Sequence, residues 1–272
     1  MTEKALRNPT SPGFQAPKSA WSGRLALLAG QIGLLAAIMG IWEWAAVAEI
    51  VPRAFIGQPS VFIPAFFSGL LNGTYFSATL ITMQAVLTAF CIGSFLALFT
   101  ALVMTAAPPV ERLLSPFIDA LNALPRVALI PLFIIWFGLG ITQKVVSGVS
   151  IMYFVLLSAT LAGAKSVDPD HLLLARSLGI PRWQVFLQIV VPSAIPSIFA
   201  GMKLGMIYTV LGVITAELIA GGRGLGTLVS YYSNTFDTNG VFAVLILLII
   251  LTSCLAGLMN AVEKRIGRWR LA

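Results

Sequence analysis

Five ionisable side chains stand inside long apolar stretches of this 272-residue chain: Glu43, Asp119, Arg126, Lys203 and Glu217. A charge at bilayer depth costs about 2.5–3.5 kcal/mol on insertion scales, so each is a functional candidate. Arg126 follows Pro125 and precedes Pro131, and Lys203 lies between Gly201 and Gly205. Two cations at similar depth, each beside residues that loosen or thin a helix, suit a path for an anion. The competing reading is structural, with Arg126 or Lys203 neutralised by Asp119 or Glu217. Both readings stay open, but one pairing is excluded. Lys203 and Glu217 are separated by roughly 21 Å along a helix axis and cannot meet within one helix. Glu217 belongs near an outer end, as a gate or a contact for an external partner.

A second candidate is the polar elbow DHLLLARSLGIPRWQVFLQIVVP, residues 170–192. Leu172, Leu173, Leu174 and Ala175 are good helix formers. Gly179 is placed to end that helix in the left-handed conformation. Pro181 suits the first position of a second helix, and Pro192 starts the next apolar span by the same logic. Leu172 to Leu174 offer a buried contact to a partner, with Arg176 and Arg182 as a charged rim that fixes register.

Other chemistries find little support. No phosphate-binding loop with its Gly-Lys-Ser/Thr ending is present, and GGRGLG at 221–226 follows no strand and reads as a turn. No Ser/His/Asp set, carboxylate pair or metal-ligand spacing emerges, and the lone His171 reads as a surface residue. Cys91 and Cys254 fall inside apolar spans and read as small packing residues. Tyr153, Phe154, Trp136 and Phe137 either line a cavity or, for the latter two, belong to an interfacial belt. The chain is not an enzyme on this reading.

What must position these residues is a membrane. With 58% hydrophobic and 10% charged residues and a mean hydropathy of +0.93, the composition departs far from the roughly 25% charge of soluble domains. Apolar runs of spanning length occupy 25–48, 77–104, 114–140, 145–164, 192–220 and 241–260. Six helices follow, since no strand-like alternation supports a barrel. The net charge of +7 is explained by topology rather than by nucleic acid. With the N-terminus inside, Lys4, Arg7, Lys18, Arg24, Arg112, Lys165, Arg176, Arg182, Lys264, Arg265, Arg268 and Arg270 are cytoplasmic. Only Arg53, Lys144 and Arg223 lie outside. That bias predicts both termini, and the elbow, in the cytoplasm. The first span is too long for a signal-peptide core and reads as an uncleaved anchor.

The expected organisation is a disordered tail over 1–22, a first helix and outside loop over 23–74, a core over 75–262 and a tail over 263–272. The outside loop carries Pro52, Pro59 and Pro64, with room for a short interfacial helix.

The elbow also resembles a known pattern. Gly179, nine residues, Ile189, one residue and Val191-Pro192 resemble the cytoplasmic loop signature of ABC importer permeases. That signature runs Glu-Ala-Ala, three residues, Gly, nine residues, Ile, one residue, Leu-Pro. Ala175 matches its second Ala, while Leu173, Leu174 and Val191 depart from it. LPRVALIPLFIIWFGLG (124–140), ARSLGIPRWQVFLQIVVPSAIPSIFAGMKLG (175–205) and TAELIAGGRGLGTLV (215–229) resemble the nitrate, sulfonate and taurine branch. The resemblance implies an all-α integral membrane protein with about six transmembrane helices and the type I importer permease fold. It implies a bacterial inner-membrane homodimer whose elbow is a coupling helix docked on cytoplasmic ATPase subunits. ATP and Mg would be bound by those subunits, with no cofactor in this chain, and an external solute-binding protein would deliver the solute. The missing Glu implies a more apolar dock than usual. Two other classes remain open, a stand-alone secondary transporter and a non-transporting scaffold. The first often shows internal repeats, and none is evident here.

Overall fold

The computed structural model describes residues 20–266, with side chains described over 27–52 and 55–265. The ends 1–19 and 267–272, carrying Lys4, Arg7, Lys18, Arg268 and Arg270, lie outside the described residues, as do the side chains of Arg24 and Arg53. The chain forms two compact units, 1–52 and 53–272. The first contains α1 (Ala20–Val47), whose stretch Leu27–Val47 is apolar and long enough to span a bilayer. Residues 53–74, grouped in the sequence with that first helix, belong to the second unit.

In the second unit α2 (Pro59–Leu71) is the short apolar helix expected in the loop. It packs on α10 (Thr238–Ile266) through Phe62 and Phe242, whose ring centroids are 5.4 Å apart. Three long helices make the centre: α3 (Thr74–Ala106), α6 (Ile141–Lys165) and α8 (Arg182–Ala220). Their interface is built from small residues, as suits helices that gain no hydrophobic drive from leaving lipid. A Cβ on Gly212 would stand 3.0 Å from both the Gly148 Cα and the Ser147 carbonyl oxygen. Backbone meets backbone there, and no larger residue fits. Cys91 and Cys254 are exposed on the surface of the chain, not packed inside it.

The direction of the helices follows from which residues meet. Along α6, Gly148 faces Ala89 of α3, Met152 faces Gly93, and Tyr153 donates to Thr100 at 3.0 Å. Both numbers rise together, so α3 and α6 are parallel. Along α8 the order reverses, with Gly212 at Ser147, Gly205 at Met152 and Gly201 at Ala159. Two neighbouring parallel helices force the intervening chain to return along their whole length, about 37 Å for the 25 residues of α6.

That return differs from the single straight span expected over 114–140. It is a pair, α4 (Pro108–Ala123) and the segment Arg126–Phe137 that ends in α5 (Ile130–Phe137), bent by 85°. The cause is Pro125. A residue before proline is driven out of the helical region, and Leu124 is extended at φ −68°, ψ 135°. Among the described residues five helices have spanning length and composition, or six if the bent pair counts as one.

Candidate functional site

The elbow folds as its sequence directs, with one addition. Pro169 opens α7 (Pro169–Ser177), and the Asp168 carboxylate accepts from the Asp170 N–H at 2.9 Å. At the far end Gly179 adopts φ +70°. Its N–H donates to the Arg176 carbonyl and the Ile180 N–H to the Ala175 carbonyl, both at 3.0 Å. This closing loop needs a left-handed residue, which glycine supplies without strain. Pro181 caps the following turn from just outside it, one residue earlier than expected.

Pro192 does not begin a new helix. The turn Arg182–Val185 passes through a wide π segment, Phe186–Val190, directly into the rest of α8. Proline lacks the N–H for the normal bond and crowds the carbonyl four residues back. The wide turn before it, with the Val191 N–H bonded to the Phe186 carbonyl, relieves both problems. The second half of the elbow, 182–192, is thus part of the 39-residue helix, and α7 joins it through the turn at Gly179.

On the elbow Ala175 is buried and Leu172 half-buried, while Arg176 and Arg182 are exposed. Leu173, Leu174, Leu178 and Trp183 are exposed by 58–68%. Between α7, α8 and Glu263 of α10 lies a largely apolar hollow of about 740 Å³, lined in part by Leu178, Pro192 and Phe199. At this same end Lys165 of α6 pairs with Glu111 of α4 at 2.6 Å.

The charges within the spans separate into three kinds. Arg126 lies at the bend between α4 and α5, not in mid-helix. Its guanidinium donates to the carbonyls of Ser150 at 2.6 Å and Leu121 at 2.8 Å, and to the Asn122 side chain at 3.1 Å. It also lies 4.0 Å above the Phe154 ring, a favourable cation–π placement. So Phe154 is occupied by Arg126, while Trp136 and Phe137 are exposed near the end of α5. Lys203 is half-buried on α8, between the glycines that meet Met152 and Ala159, and has no polar partner among the described residues. Asp119 is exposed and likewise unpaired.

Glu217 is neither the gate nor the counter-ion expected from the sequence. Neither Arg126 nor Lys203 neutralises it, and it has no accessible surface with which to form a gate or meet a partner. Its counter-charge is Lys144 at 3.0 Å, a residue counted above among the outside charges but buried in the first turn of α6. The Thr82 hydroxyl lies 3.0 Å from both carboxylate oxygens and donates to them, and the Gly226 N–H donates at 2.9 Å. Thr82 in turn accepts from the Leu225 N–H at 2.9 Å, and Lys144 also donates to the Arg223 carbonyl. A Cβ on Gly224 would stand 2.1 Å from the Glu217 carboxylate. The glycine-rich turn is therefore wrapped around a buried anion, which explains its composition. It joins α3, α6, α8 and α9 (Leu225–Asn234) at one end of the molecule. Among the described residues no group of three His, Cys, Asp or Glu side chains could hold a metal.

The family model for the binding-protein-dependent transport system inner membrane component matches residues 89–268. The riboflavin transport system permease protein RibX of Chloroflexus aurantiacus is 29% identical over 232 residues, covering 85% of this chain and 87% of its own length. The taurine transport system permease protein TauC of Escherichia coli is 27% identical over 243 residues, covering 88% of each. A chain from a crystal structure of an amino acid ABC transporter with histidines superposes with a TM-score of 0.62. At 21% identity it covers 74% of this chain and 98% of that one, a likeness of fold.

Proposed function

Starting from a chain that belongs to the family of binding-protein-dependent transport system inner membrane components, we propose that it carries a small anionic solute, driven by separate cytoplasmic ATPase subunits. It is a multi-pass permease subunit of the inner membrane. An external binding protein delivers the solute, and a second copy of the chain completes the pathway. Both termini and the elbow face the cytoplasm.

The observation that supports this reading best is the continuity of the elbow with α8. A subunit without its own motor needs a rigid arm that passes motion into the membrane. Here a closed turn at Gly179 and an unbroken helix from Arg182 to Ala220 supply one. The exposed Leu173, Leu174 and Trp183 offer it a dry docking face, with Arg176 and Arg182 as rim contacts. ATP-driven closure of the ATPase pair would move this arm. Gly179→Pro cannot adopt φ +70° and disrupts the arm without touching a span. We expect normal insertion with uptake lost; normal uptake in that variant would overturn the reading.

The solute class rests on the cations. The relatives named for riboflavin and taurine differ too much in solute to choose one. Lys203, half-buried and unpaired, and Arg126, fixed at the bend, stand at neighbouring levels of α6. Both attract an anion at bilayer depth. Lys203→Ala should lower uptake severalfold while leaving ATPase assembly and thermal stability unchanged. A loss of stability with uptake retained would make Lys203 structural instead.

A further inference from the structure

At the end of the second unit that carries Glu217, α2, α3, α9 and α10 line an open cavity of about 330 Å³, with Asp237 exposed at its edge, unrelated to the arm or to the two cations. Its wall includes Ser68, Asn72, Tyr75, Tyr232, Asp237 and Asn239. Bare backbone fixes the two phenols. A Cβ on Gly69 would stand 2.3 Å from the Tyr75 ring, and one on Gly240 would stand 2.5 Å from the Tyr232 ring and 2.8 Å from Asp237 Oδ2. Tyr75 is 3% exposed, yet its hydroxyl has no hydrogen-bond partner among the described residues. With the ring buried and the hydroxyl open to the cavity, that oxygen is available to a ligand.

Asp237 supplies the charge. Its Oδ1 caps α10 by accepting from the Gly240 N–H at 2.9 Å. Its Oδ2 is uncommitted, and no ion pair neutralises it among the described residues. Burial first, and then the Asp237 charge, push the Tyr232 phenol above its usual range. No Lys, Arg or His lines the cavity.

We propose that this cavity binds a primary ammonium group. Such a group donates to Asp237 Oδ2 and to the lone pairs of the two phenols, and its charge is favoured by their ring faces. An anion is opposed by the uncompensated carboxylate. The volume, at the lower limit of small-ligand sites, admits a headgroup and not a bulky molecule. Thr74, Tyr75 and Asn239 lie at the ends of spanning helices, so the cavity opens at the level of a bilayer surface. Two sources offer this chemistry there, the headgroup of phosphatidylethanolamine and a free alkylamine.

The full-length protein in detergent should be titrated with phosphatidylethanolamine or phosphatidylglycerol and read by native mass spectrometry. In parallel, ethanolamine should be followed by thermal shift. Asp237→Asn keeps a good helix cap and removes the charge, and Tyr75→Phe keeps the ring and removes the hydroxyl. We expect up to about fivefold preference for the ethanolamine lipid, the upper end for a solvent-exposed ion pair, abolished in both variants. An ethanolamine shift lost in both variants, without lipid preference, identifies a free amine as the source. Lipid preference that survives Asp237→Asn, or no variant-sensitive response to either probe, overturns the proposal.

Discussion

Two clusters at opposite ends of the second unit use their side chains in opposite ways. At one end Glu217 is wholly buried, and Lys144, Thr82 and the Gly226 N–H match its lone pairs. At the other, four large apolar side chains of the elbow are more than half exposed. The Glu217 cluster at the first end is self-sufficient. The elbow presents apolar surface, worth about 25 cal/mol per Å² once covered. The contrast separates an anchor, which holds three long helices and a turn together, from the face proposed above to dock the ATPase.

The largest effect that would break this contrast lies in the anchor. Glu217→Ala leaves the Lys144 ammonium buried without a counter-charge, and should cost about 3–5 kcal/mol. Thermal unfolding of the purified protein would show it as a marked fall in Tm. Joining it with Lys144→Met removes the stranded charge and should recover much of the loss. A single variant as stable as the wild type would mean that the pair is not the anchor.

A smaller effect sharpens the same point. Gln143, one residue before Lys144, is fully buried, and its amide has no partner among the described residues. Gln143→Leu keeps the volume and removes groups that gain nothing, so stability should hold or rise by up to about 1 kcal/mol. A fall of that size would show the amide to be matched after all.

The sequence foretold the elbow far better than the anchor, for a physical reason. Gly179, Pro181 and the leucines act through local backbone rules, and those rules can be read within a few residues. The anchor joins Thr82, Lys144 and Glu217 across three helices, and nothing in their spacing says which faces meet. Lys144 lay at the edge of an apolar run, where a charge reads as solvated. Glu217 could be placed near a helix end, but its partners could not. The bend after Leu124 was written in Leu-Pro-Arg, yet hydropathy alone smoothed 114–140 into one span. Pro192 misled differently, because the π segment that absorbs it has no sequence rule as simple as a cap.

The docking claim is tested most directly by what stays bound. The permease and its ATPase subunit should be co-expressed, and the ratio recovered on purifying the permease measured for wild type and for Leu173→Asp with Leu174→Asp. Both side chains are exposed, so the variant should keep its Tm to within about 0.5 kcal/mol of stability. Stoichiometric ATPase should be recovered with the wild type and little or none with the variant. Full recovery of the ATPase on the doubly substituted chain, with its fold intact, would contradict the docking claim.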